Sequence, residues 1–101
     1  MTRRQQLEAM LAEEPDDVFL LYGLACEEIK AGDQTAGLSR FDDIHTRFPD
    51  YVPAWFRHAQ FLAELGETDS AKQIGQTGLE TARRVGDLHA AGELTGFLEL
   101  L

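Results

Sequence analysis

The residues of this chain that could do chemistry are its histidines, its single cysteine, its serines and its paired carboxylates. His45, His58 and His89 fall on three different helical stretches, and none belongs to a His-x-x-x-His or Cys-x-x-Cys spacing. Such spacings bring ligands to one point on a helix face or in a tight turn, so their absence predicts no metal site. Cys26 has apolar and acidic neighbours, without the base or positive field that would make its thiolate, and it reads as a small hydrophobe. Ser39 and Ser70 lack a Gly-x-Ser-x-Gly elbow. Gly75-x-x-Gly78 lies inside a helical pattern with no preceding strand, which fails the structural test for a phosphate loop. Glu28 and His58 occupy inward registers of neighbouring helices, where a buried hydrogen-bonded pair is expected rather than an acid–base dyad. The expectation is a protein with no catalytic residues, no cofactor and no metal, and so not an enzyme.

Charge narrows the partners. Eighteen acidic against nine basic residues give a formal net charge of −9. That field repels phosphate backbones and anionic lipid, and the short pairs Arg3-Arg4 and Arg83-Arg84 do not make a compensating patch. Neither nucleic acid nor membrane is expected as a partner; a basic or basic-apolar protein segment is. No apolar run reaches the roughly 20 residues that span a bilayer, and the first residues lack the apolar stretch of a signal peptide. One cysteine excludes an internal disulfide, which suits a reducing compartment, and a cytoplasmic location is expected.

The elements that would position any site are helical. Leu7, Met10 and Leu11 form an i, i+3, i+4 stripe on residues 3–13, a short amphipathic helix that Pro15 stops. Asp16 or Asp17 can cap the next helix. That helix, residues 17–31, carries Val18, Phe19, Leu20, Leu21, Tyr22, Leu24, Ala25, Cys26 and Ile29 around much of its circumference, so it must touch neighbours on more than one side. Gly32 then ends it and Asp33 starts its partner, in which Gly37, Phe41, Ile44 and Phe48 make one buried stripe. Residues 50–65 follow, with Trp55, Ala59 and Leu62 inward and Pro53 tolerated in the first turn. After Gly66, residues 68–85 place Ala71, Gly75, Gly78 and Ala82 on the equivalent stripe, turning a rough surface into a smooth one. Mid-helix glycines cost about 1 kcal/mol each against alanine, so a close helix approach is expected there, with Phe97 or Leu94 filling the space. Gly86 and Asp87 open a closing helix on residues 87–100.

The chain also repeats itself. Gly66 stands 34 residues after Gly32, and the same offset carries Pro15 to Pro49, Asp16 to Asp50, Val18 to Val52 and Ala25 to Ala59. A helix-turn-helix period of this length, with Trp55, Ala59, Leu62 and Ala71 on the pattern positions, resembles the tetratricopeptide repeat (TPR) family. The first copy fits at Leu21, Leu24, Ala25, Gly37, Phe41, Ile44 and Pro49. It departs at Glu28, which holds an aromatic position; the second departs at His58, Gly75 and Arg83. The resemblance implies an all-α fold, a right-handed stack of antiparallel helix hairpins forming a TPR-like solenoid of about six helices. The expected organisation is a single domain, residues 1–101: a leading helix 3–13, repeat one 16–49, repeat two 50–85 and the closing helix.

Such a stack is expected to act as a non-catalytic interaction module, with a concave groove receiving a peptide or partner helix. By register with the family the groove residues would be Phe19, Tyr22, Cys26, Ile29 and Lys30 from the first repeat, and Phe56, Arg57, Gln60, Ala63 and Glu64 from the second. Either Phe19, Tyr22 and Phe56 face an open groove, or the leading or closing helix covers them. The lysine and asparagine clamp with which some members grip a C-terminal carboxylate is missing: Tyr22, Cys26, Phe56 and Gln60 stand in its places. The rival expectation is a structural one, in which apolar terminal helices join two copies as a homodimer.

Overall fold

Three aspartates and a threonine start four of the six helices, and each does so by giving a free backbone amide the acceptor it lacks. The computed structural model describes residues 1–101 and contains no strand. Its helices are α1 (Arg3–Glu13), α2 (Val18–Lys30), α3 (Gln34–Arg47), α4 (Val52–Glu64), α5 (Thr68–Val85) and α6 (Leu88–Glu99). Thr2 and Gln5 form a reciprocal capping box before α1, at 3.1 and 3.0 Å. Asp17 accepts from the Leu20 amide at 3.2 Å, Asp33 from Ala36 at 3.3 Å and Asp87 from Ala90 at 3.0 Å. Of the two candidates at the start of α2, Asp17 is therefore the cap. α4 begins at Val52, two residues later than the sequence pattern suggests and in register with Val18 at the start of α2; its N-cap is Tyr51, without a side-chain cap, and Asp50 pairs with Arg84.

The helix ends repeat one device. Gly32, Gly66 and Gly86 are the three residues with positive φ, at 92°, 80° and 82°. Just beyond each, an amide donates back to the carbonyl five residues earlier: Asp33 to Glu28 at 2.8 Å, Glu67 to Leu62 at 2.9 Å and Asp87 to Ala82 at 2.8 Å. This closure needs a left-handed residue, where a Cβ would crowd the following carbonyl, and glycine enters at no steric cost.

The helices gather into two compact units, Met1–Phe48 and Pro49–Leu101. In the first, α2 and α3 form a hairpin and α1 packs on α2. Leu7, Leu20 and Leu24 make a core cluster with Leu11 against it. Gly37 sits where α3 crosses α2 closely: a Cβ there would meet the side chain of Ile29 and, at 2.8 Å, the carbonyl oxygen of Ala25. In the second unit α4 and α5 form the hairpin and α6 packs on both. Val52, Leu79, Ala82, Ala91 and Leu94 form its core, with Phe56, Ala90 and Leu98 packed against it.

The smooth stripe of α5 is buried throughout, from Ala71 through Gly75 and Gly78 to Ala82. Leu94 lies over Gly78, at 3.5 Å from a Cβ built there, and the Cβ of Trp55 comes closer, at 2.8 Å. Over Gly75 the nearest atom belongs to Leu98, at 2.8 Å, with the Phe97 ring at 3.7 Å. The space the sequence pattern leaves is thus filled by the expected Leu94 and Phe97 together with Leu98 and the inward Trp55, which come closest.

Candidate functional site

Each expected surface residue takes its setting from the hairpin that carries it. On α2, Phe19 is 63% exposed, Tyr22, Cys26 and Ile29 are half-buried, and Lys30 is exposed. Tyr22, Cys26 and Ile29 recur at i, i+4 and i+7, so they share a face. Tyr22 meets Phe41 of α3 edge to face, with centroids 6.3 Å apart, which fixes its ring without covering it. Ile29 leans on the backbone gap at Gly37.

On α4, Phe56, Arg57, Gln60 and Ala63 are half-buried and Glu64 is exposed. Phe56 packs edge to face on Phe97 of α6 at 5.8 Å, so the closing helix covers one side of this ring. Arg57 lies over the Phe61 ring at 4.3 Å and donates to the Gln60 side chain at 3.1 Å. A cation held over a ring and tied to an amide is a pre-positioned donor with little rotamer freedom left to lose.

Charged side chains that no motif singles out turn out to hold the hairpins. Glu28 is buried, 2% exposed, and Arg40 of α3 donates to both its oxygens, Nε to Oε1 at 2.6 Å and Nη2 to Oε2 at 3.2 Å. Arg4 of α1 adds an ion pair at 3.6 Å and a hydrogen bond to Asp33 at 3.3 Å. The hydrogen bond to Glu28 raises the Arg40 guanidinium above its ordinary value, against the opposing effect of burial. Glu28 at the aromatic position is therefore satisfied by arginines of its own unit. A second pairing repeats in both units: Arg47 of α3 reaches Asp16 at 2.5 Å, and Arg84 of α5 reaches Asp50 at 2.5 Å. In each hairpin the end of the second helix is clasped to the loop before the first. The sequence signal was present, since Asp16 and Asp50 are repeat mates, but the arginines are not 34 residues apart and so escape the register.

No protein-family model matches the chain. A TPR repeat-containing protein of Pseudomonas aeruginosa is 32% identical to it over 95 residues, covering 94% of this chain and 90% of the relative. The chain belongs to the tetratricopeptide repeat family. Solved TPR structures agree: a TPR domain protein from Salinibacter ruber, determined by NMR, matches with a TM-score of 0.79 at 30% identity over 83% of this chain and 85% of that one. A Bordetella parapertussis protein matches with a TM-score of 0.83 at 28% identity, covering 98% of this chain and 86% of its own.

The resemblance drawn from the 34-residue register is thus borne out, as is the all-α architecture of helix hairpins. As a TPR protein the chain falls in a family of protein–protein interaction modules that are generally non-catalytic. None of its helices is long and apolar enough to cross a membrane.

Proposed function

We propose that this TPR protein is a non-catalytic module that binds a peptide or partner helix through the faces of α2 and α4, working in the cytoplasm. The carrying observation is that the first helix of each hairpin leaves large side chains partly uncovered at the family's contact register: Phe19 and Tyr22 on α2, Phe56 on α4. Rings already fixed by Phe41 and Phe97 offer contact area at little entropic cost. On α2, Lys30 supplies a polar contact and Cys26 and Ile29 low apolar surface; on α4, Arg57, Gln60 and Glu64 supply the polar contacts and Ala63 the apolar one. A net charge of −9 favours a basic-apolar partner over an acidic one.

The test is a pull-down from a cytosolic lysate, comparing wild type with a Tyr22→Ala/Phe56→Ala variant whose helicity is checked by circular dichroism. A Lys30→Ala/Gln60→Ala variant trims the same faces without removing a packed ring. A partner kept by wild type and lost by both variants supports these faces; one retained by both places binding elsewhere.

A second reading has its own observation. Leu88 is 77% and Leu100 87% exposed on and just after α6, surface that self-association would bury. A dimer at micromolar concentration in solution scattering, lost on Leu88→Ser/Leu100→Ser, would favour an assembly unit.

A further inference from the structure

The first unit holds a recess that shares only Phe19 with the faces above. It has a volume of about 310 Å³ and lies between α1 and the start of α2. Leu7, Met10, Phe19 and Leu20 form its apolar wall, and Glu13, Glu14 and Asp17 stand on its rim with Arg3 as the one cation. Leu7 and Leu20 are buried, whereas Met10 is 49% and Phe19 63% exposed, so the wall is half core and half open surface.

The rim gathers three of this unit's six acids that have no ion-pair partner, beside exposed apolar surface. Asp16, Glu28, Asp33 and Asp43 are each paired to an arginine. Glu13, Glu14 and Asp17 have no ion-pair partner, and the one side-chain hydrogen bond among them is the Asp17 cap on α2, which uses Oδ1 and leaves Oδ2 open. An exposed methionine and phenylalanine beside three unpaired carboxylates present an apolar floor under a negative edge. A thioether adapts to irregular shapes, and a flat ring gives area without reorganisation. The volume is at the lower bound of small ligand sites, room for one large aliphatic or aromatic side chain and part of a second.

We propose that this recess docks a basic-apolar peptide segment, one leucine- or phenylalanine-sized side chain against Met10 and Phe19 with a flanking lysine or arginine against Glu13 and Glu14. Charge complementarity selects this occupant: the rim carries three acids and one base, so an acidic or neutral apolar segment would leave the carboxylates uncompensated. Phe19 is the one residue it shares with the α2 and α4 faces, and the variants below, at Met10, Glu13 and Glu14, leave those faces unchanged.

The experiment is an amide NMR titration of the ¹⁵N-labelled full chain with a short alternating lysine–leucine peptide, and with the same peptide carrying glutamate for lysine. The expected result is shifts centred on residues 3–20 with the lysine peptide and none with the glutamate peptide. Glu13→Gln/Glu14→Gln, which alters two exposed side chains and leaves the backbone bonds of the α1 cap in place, should weaken binding by about threefold to tenfold and flatten its salt dependence. Met10→Ser should weaken it without altering helicity. Equal binding of the glutamate peptide, or shifts confined to α4, would overturn the proposal. So would concentration-dependent shifts of residues 3–20 without peptide, which would assign the recess to a second copy.

Discussion

Arg40 reaches Glu28 across the first hairpin with two hydrogen bonds, of 2.6 and 3.2 Å, at the position where the family has an aromatic ring. The carboxylate side chain is 3% exposed and the guanidinium 29%, so the acid depends on the base more than the reverse. Removing the base strands a buried charge with only Arg4 at 3.6 Å. Arg40→Met is expected to cost about 2–3 kcal/mol and Arg4→Met under about 1 kcal/mol, by urea denaturation. Replacing both partners, Glu28→Leu with Arg40→Met, should recover most of the loss, because an apolar pair of similar volume avoids the desolvation.

The glycines of α5 and α6 should respond to alanine in opposite directions. Gly92 and Gly96 have no atom within 4 Å of a built Cβ, so Ala gains helix propensity alone, about 0.5–1 kcal/mol each. Gly78 faces the Cβ of Trp55 at 2.8 Å, an atom the backbone holds in place, and Gly78→Ala should destabilise by about 1–2 kcal/mol. Gly75 faces the movable end of Leu98, so Gly75→Ala should lie near neutral while Gly75→Leu lowers the melting temperature. Thermal melts of the series check the order; a Gly78→Ala protein as stable as Gly92→Ala would contradict the close packing of α4, α5 and α6.

Gly86→Ala should cost about 1 kcal/mol by a different route. Its φ of 82° closes α5, and no atom lies within 4 Å of a built Cβ, so the penalty comes from backbone conformation alone. Denaturant melts should show a lower midpoint with an unchanged slope.

The Asp50–Arg84 clasp predicts a pH dependence. The Arg84 hydrogen bond holds the Asp50 carboxyl below its ordinary value. A carboxylate depressed on folding contributes stability above its unfolded value, and that contribution is lost as pH falls through the folded one. Both side chains are well exposed, so the effect on overall stability is small and salt-screened. Carbon-detected NMR titration should place the Asp50 midpoint below that of an unpaired aspartate, and Arg84→Ala should return it to the ordinary range. An Asp50 midpoint indifferent to Arg84→Ala would remove the clasp from solution.

The turns were legible in the sequence because their physics is local. A glycine at Gly32, Gly66 or Gly86 and an aspartate at Asp17, Asp33 or Asp87 act within a few residues of themselves, so residue type alone announces the helix end. The 34-residue register was legible for the same reason, each repeat carrying its own punctuation. The Asp50–Arg84 clasp was not, because its partners lie 34 residues apart, where a local rule does not see them.

What the sequence by itself determined is therefore the number of helices, where they turn and the family they belong to. Helix propensity, capping and apolar period depend on neighbours within about one turn. Only the tertiary structure decided that Glu28 is answered by Arg40, that Leu98 and Trp55 fill the α5 stripe, and that Met10 and Phe19 share a wall with three unpaired acids. Those outcomes depend on side chains from different helices meeting at ångström precision, and the relative rotation of packed helices is set by core volume and close approach, which no single stretch of sequence contains.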